Sequence, residues 1–513
     1  MEYIYPSEEE VLSGVPMPEI EPELVRVDLM HVGGSVYCHL EWQRTIKDFH
    51  KYISELEAAG FIRIGGVDKP EGRGVITATY QKGVHLVGIN YNFYWRSINM
   101  TIQLAPEVPY TAKELYADIP VPPNASEPED VGDNTYLCTA LNTDKSYYDA
   151  YCNSLLSAGF TLFAENADGF GGNVYNSAFV RNNLSVSVTH IVRTGTTYVS
   201  AAKDQPFSEH LKYNADEVAK NPADAKTTLH MMEMYASGSS FVIQLKNGHF
   251  LIQDGGRPTE ARYLFDYLDE LSGGTKPIID GWFITHPHRD HTGVLCCINW
   301  EDGLADRAFV EGIYFSEPSG PVLDFDFGAR GDVALIHDVV KLLKTTTGTQ
   351  TPIYRNRTGE RYYFNDITAD IIFAQEQLPK ERYSGDVNDS STWCIFNIEG
   401  QKALLAGDGD TGGMDEIMKA YPGEYLDCEV FSTLHHCHNT TFKFTDYFKK
   451  KTVLVTSIKE PPMHPEENGH LRELSSEWFL QGEGTRILTF PYQVGESQVK
   501  EHNTWKYHQE NNE

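Results

Sequence analysis

Hydrophobic positions in the first two hundred residues follow two periods in turn. Phe49, Tyr52, Ile53, Leu56 and Ala59 fall on one face of a helix, and so do Tyr148, Tyr151, Leu155 and Ala158. Gly60 and Gly159 stand where a helix takes a left-handed cap, a conformation open to glycine without steric cost. Beyond each helix the period drops to two. VITATY from Val75, VHLVGINY from Val84 and NLSVSVTHIV from Asn183 alternate as strands of an antiparallel sheet do.

These two stretches are copies of one another. YISELEAAGF, from Tyr52, and YCNSLLSAGF, from Tyr151, lie at an offset of 99 residues, and the pairs Tyr37/Tyr136, Phe49/Tyr148, Val75/Val174, Tyr80/Phe179 and Val87/Val186 keep it without a gap. Each copy reads as an α+β repeat, one helix on a small antiparallel sheet, with expected bounds 25–108 and 131–205 after an N-terminal segment, 1–24. The Pro-rich acidic run IPVPPNASEPEDVGD, from Ile119, predicts a linker over 109–130, and polar residues 206–228 predict a connector. The aromatics Tyr91, Phe93, Tyr94 and Trp95 read as core ahead of a binding face.

From Ser239 the texture changes. SSFVIQLKNGHFLIQDGG places two apolar strands around Asn247-Gly248, a hairpin signal. A helical run starts at Thr259, and the strand PIIDGWFIT then leads directly into HPHRDHTG. This order predicts an α/β domain over 229–495 and a polar tail over 496–513. His337, at helical spacing in VALIHDVV, reads as structural.

Composition narrows the possibilities. A chain of 513 residues with 41% hydrophobic and 22% charged positions is folded rather than disordered. Its 42 Lys and Arg against 73 Asp and Glu give −31, a field that repels duplex nucleic acid and anionic membranes. No apolar run reaches the roughly 18 residues that span a bilayer. The acidic start lacks the basic and apolar regions of a secretory signal, so a cytoplasmic location is expected, with the eight cysteines as reduced thiols.

Candidate chemistry lies in H-x-H-x-D-H, formed by His286, His288, Asp290 and His291. Imidazole nitrogens and carboxylate oxygens suit zinc or its neighbours, and residues alternating at a strand end can serve one ion while the following pair turns toward a second. There is no phosphate-binding G-x-x-x-x-G-K-[ST] loop and no G-x-S-x-G nucleophile elbow, and Gly169-Phe170-Gly171-Gly172 lacks the strand-to-helix setting of a dinucleotide site.

HPHRDHTG resembles the signature of the metallo-β-lactamase fold superfamily, and the resemblance runs from about Ser239 to about Leu480. It implies an αββα sandwich behind the two repeats, with Asp254-Gly255 ending an early strand and Asp408, in KALLAGDGD, bridging two metals. NDSSTWCIFNIEGQKALLAGD, from Asn388, and EVFSTLHHCHN, from Glu429, look like the ComEC-type branch that includes phosphorylcholine esterases. That branch implies His286, His288 and Asp408 on one ion, and Asp290, His291 and His436 on the other. It also implies that His435 faces the substrate, and His464, in His464-Pro465, matches a substrate-contacting position. Cys437-His438 stands where the branch has Gly-Ser, which leaves open whether His435 or His436 is the ligand.

The expected activity is that of a binuclear hydrolase holding two divalent ions, zinc first and manganese or iron after it. It would cleave phosphoester bonds, phosphodiesters above all, in a small anionic substrate through a metal-bridging hydroxide, with Asp290 orienting the nucleophile. His435 would serve the leaving group or an anionic oxygen. The same ions polarise carbonyls, so a lactonase-like hydrolase of cyclic esters or amides is the alternative. A nuclease ranks third because of the charge, and a scaffold with a non-catalytic metal site is the reading from another class. EPSG, from Glu317, and YRNRTGERYY, from Tyr354, are further stretches that can line a pocket.

Overall fold

The structure is a computed structural model and describes residues 13–16, 26–32, 35–43, 45–65, 75–83, 85–92, 96–104, 115–132, 134–318, 327–377, 387–461 and 463–500. The chain is mixed α/β and separates into two compact units. One holds residues 1–111, 319–338 and 383–387; the other holds 112–318, 339–382 and 388–513.

In the first unit the helix Ile46–Ala58 lies with a six-stranded antiparallel sheet. Its strand order is Arg26–Val32, Ser35–Gln43, Ser97–Leu104, His85–Asn92, Val75–Lys82 and Ile62–Gly65. The predicted helical face is the buried one: Phe49, Tyr52 and Leu56 join Tyr80, Val87, Ile89 and Tyr91 in one core. Gly60 takes φ 87°, the left-handed cap read from the sequence. Phe93, Tyr94, Trp95 and most of 1–24 lie outside the described residues.

Within the second unit the same topology returns at the same offset. Helix Lys145–Ser157 accompanies strands ordered Glu129–Asp130, Tyr136–Ala140, Thr196–Lys203, Leu184–Ile191, Val174–Arg181 and Thr161–Asn166. The segment expected as a linker is laid against this repeat. Tyr116 donates to the carbonyls of Tyr136 and Val199, and the carbonyls of Pro120 and Pro123 accept from Tyr151 and Tyr147. Prolines lack an N–H but keep a carbonyl, so a Pro-rich strap can be fastened by tyrosine hydroxyls. Phe207 and Leu211, from the expected connector, are buried in the main core.

Residues from 228 onward form two more sheets. One runs Ile353–Tyr354, Ile313–Phe315, Ile278–Ile284, Phe250–Asp254, Ser240–Gln244, Thr228–Met231, Thr485–Thr489 and Gln498–Lys500, with Phe309–Val310 added beside Ile278–Ile284. The other runs Arg361–Phe364, Ile367–Phe373, Trp393–Ile398, Gln401–Leu405, Cys428–Ser432, Lys450–Val455 and Glu477–Leu480. Alternation along the strands joins them. Phe283 meets Phe364 and Phe396 of the second sheet, whereas its neighbour Trp282 meets Phe265 of helix Ala261–Leu271. Val430 faces the shared core, and Phe431 turns to Phe444 and Phe448. The hairpin turns at Gly248 with φ 84°, as Asn-Gly predicts.

YRNRTGERYY is not a surface loop. Arg355 to Glu360 are all buried, and the second repeat covers them: Asn166 Nδ2 donates to Gly359 O at 3.1 Å and Thr189 Oγ1 to Thr358 O at 2.9 Å. Among the described residues no helix is long and apolar enough to cross a membrane.

Candidate metal centre

Parallel strands deliver the candidate ligands at their carboxyl ends, where open α/β sheets place their sites. Ile278–Ile284 runs parallel to its neighbour Phe250–Asp254 and hands over through Thr285 to His286. His288 is the N-cap of helix Arg289–Cys297, whose first turn carries Asp290 and His291. Gln401–Leu405 leads to Asp408, and Cys428–Ser432, parallel to it, leads to His435 and His436. Gly407 has φ 57°, and a Cβ there would meet Thr285 at 2.7 Å, so the bend presenting Asp408 is built on glycine.

These side chains converge in two groups. His286, His288 and Asp408 offer ligand atoms within 4.8 Å of one another, and so do Asp290, His291 and His436. Asp408 lies between the groups, with Oδ1 3.0 Å from His291 Nε2 and Oδ2 3.9 Å from His286 Nε2 and 3.4 Å from His436 Nε2. Asp290 Oδ2 is 3.2 Å from His436 Nε2.

Hydrogen bonds behind the imidazoles decide which nitrogen faces inward. His291 Nδ1 donates to Asp254 Oδ2 at 2.8 Å, and His436 Nδ1 faces the Thr456 carbonyl at 2.9 Å, so each turns its Nε2 toward the centre. Thr285 Oγ1 donates to Asp254 and lies 3.1 Å from His286 Nδ1, whose proton it can accept; His286 Nε2 then faces His288 Nδ1 at 3.0 Å. His435 is arranged the other way. The amides of Asn439 and Asn388 reach its Nδ1 at 3.0 and 3.4 Å, which puts the proton of the neutral ring on Nε2, 3.8 Å from Asp408 Oδ2. His436 therefore presents a ligand atom and His435 a hydrogen-bond donor.

Charge follows the same division. Burial works against ionising Asp408, but His291, His436 and His286 outweigh it and hold the carboxyl well below its usual range. Asp290 is also lowered against burial, by its bond to His436 and the nearby His291. Burial drives His286 well below an ordinary histidine, with His291 and His288 adding to the effect. This nitrogen and oxygen donor set, with His286, His291 and His436 turned by outer hydrogen bonds and two ionised carboxylates, is of the kind that suits divalent cations.

Three further observations concern the expected residues. His464 is exposed, takes φ 50° ahead of helix Pro465–Leu474, has Glu467 at 4.0 Å, and acts electrostatically on His438. His438, unassigned from the sequence, has its ring 5.5 Å from His435 and 6.2 Å from His436. Asp254 and Thr456 act through contacts distant in sequence, whereas Thr285 and Asn439 lie beside the histidines they support; only Asp254, in its Asp-Gly, carried a signal in the sequence. No family model matches the chain, and no curated protein matches it.

Proposed function

We propose that this protein is a binuclear metal-dependent hydrolase of the metallo-β-lactamase fold, acting on phosphoester bonds, phosphodiesters foremost, in a small anionic substrate. The observation that carries the reading is the convergence of two ligand groups on one shared carboxylate, with His286, His291 and His436 each turned by an outer hydrogen bond. Two face-to-face sheets, with helix Ala261–Leu271 outside the first and helix Thr411–Ala420 beside the second, are in keeping with an αββα sandwich.

In this reading His286, His288 and Asp408 hold one ion and Asp290, His291 and His436 the other. Bound divalent ions supply Lewis acidity toward a phosphoryl oxygen and acidify water near neutral pH. The chain's own part is to fix the donors and to aim a proton. Asp290, at the edge of its group, is placed to orient the attacking oxygen. His435 Nε2–H, held by Asn439, is directed at the oxygen on which charge develops, where a preorganised donor contributes most.

Turnover of bis(p-nitrophenyl) phosphate by metal-replete protein tests this, with Asp290→Asn as control. We expect nitrophenolate release to fall at least 100-fold in the variant and elemental analysis to give about two metals per chain in the wild type. Equal rates in the two proteins would defeat the proposal. Cleavage of lactones but not phosphoesters would transfer the same centre to carbonyl substrates.

A further inference from the structure

One cation stands directly on this ligand set. Arg257 follows the strand Phe250–Asp254 by the pair Gly255-Gly256. Its Nε donates to the Ser237 carbonyl at 2.8 Å, which fixes the plane of the guanidinium. Its Nη2 lies 3.4 Å from Asp290 Oδ2, the oxygen that also faces His436. The Ser237 that anchors it touches Ser457 Oγ at 3.4 Å, next to the Thr456 that orients His436, so the anchor belongs to the frame of the centre.

Among the described residues the rest of the guanidinium is uncommitted. The side chain is 39% exposed, whereas Asp290 beside it is 20% exposed and Asp408 3%. Among the described residues Nη1 meets no partner, and Nη2 meets only the long contact to Asp290. Five N–H groups in a rigid fork suit a planar or tetrahedral oxyanion, and an anchored arginine loses little freedom when it binds one. Charge points the same way. Asp254, Asp290 and Asp408 bring three negative charges, two divalent ions exceed them by one, and Arg257 adds another. With both ions bound, a net −31 chain would keep a local excess of positive charge where a monoanionic diester would enter.

We infer that Arg257 is a substrate-binding residue that grips a non-bridging phosphoryl oxygen of the substrate beside the Asp290 ligand. The assignment rests on the hydrolase reading for its substrate class, but its test does not depend on turnover. Inorganic phosphate is titrated calorimetrically into metal-loaded wild type, Arg257→Ala and Arg257→Lys, with metal content measured on the same samples.

The expected result is phosphate affinity at least tenfold weaker in Arg257→Ala, partly restored in Arg257→Lys, with about two metals retained in all three. KM for bis(p-nitrophenyl) phosphate should rise by a similar factor while kcat falls less than threefold. Unchanged phosphate affinity in fully metal-loaded Arg257→Ala overturns the assignment. So does a loss of phosphate binding that merely tracks a loss of metal, since Arg257 would then only hold Asp290. If Arg257→Ala weakens phosphate but the wild type cleaves no phosphoester, the phosphoesterase reading falls and the anion-binding residue stands.

Discussion

Asp254 is fully buried at φ 59° and spends both oxygens on the centre's supports, taking bonds from His291 Nδ1, Thr285 N and Thr285 Oγ1. Partners of this kind orient a ligand and raise its basicity, and losing one weakens metal binding by about 10–100-fold. Asp254→Asn should therefore bind zinc that much more weakly in competition with a chromophoric chelator, at unchanged helical content; equal affinity would remove Asp254 from the centre. The adjacent histidines make a sharper pair. His436→Ala is expected to lose about one metal per chain, whereas His435→Ala keeps both and loses turnover. The reverse pattern in metal analysis would contradict the tautomers assigned from Thr456 and Asn439.

Elements differ in how far their sequence announces them. Helices Ile46–Ala58 and Lys145–Ser157, the Gly248 hairpin and strand Ile278–Ile284 follow directly from period and turn chemistry, because each is settled by neighbours a few residues away. The metal motif is legible for a different reason: few side chains coordinate metal, and four of them stand within six positions. Residues 115–132 and Arg355–Glu360 were opaque. The first reads as a linker and the second as a candidate pocket lining, yet tyrosines more than twenty residues away fasten the first and the second repeat buries the other. Strand Lys450–Val455 carries a similar surprise, since Lys450 is buried with its ammonium on the carbonyls of Thr445 and Phe448. Burial pushes it down to about 8 from 10.5. Between those values the unfolded chain holds a proton that the folded chain has released, so this residue makes stability rise with pH across that window. Denaturant unfolding of wild type against Lys450→Met at pH 7.5 and 10 should show the extra gain in the wild type alone; parallel behaviour would refute it.

On the scale of the molecule, the second repeat and the sheets that carry the candidate metal ligands form one compact unit, in which Arg193 donates to the Met418 and Tyr421 carbonyls and Arg361 pairs with Asp168. Gly359 sits at φ 90°, where a Cβ would meet Asn176 at 2.9 Å and Val174 at 3.0 Å. Gly359→Ala is expected to cost about 1–3 kcal/mol through strain and loss of docking. In chemical unfolding it should separate an early transition, read by proteolysis of the second repeat, from a later one. A single unshifted transition would show that the close approach carries no weight.

That docking also bears on the ancestry of the two copies. Asn166, Asn176 and Thr189, the residues that meet the buried loop, correspond at the 99-residue offset to Val67, Thr77 and Asn90. A duplication begins with interchangeable parts; these have ceased to be so. Transplanting the first repeat into the second position would leave Gly359 and Thr358 without their amide and hydroxyl donors, and the loop's arginines under a cover not shaped for them. The second copy has been conscripted into the unit that holds the candidate metal site, with residues the first copy does not share.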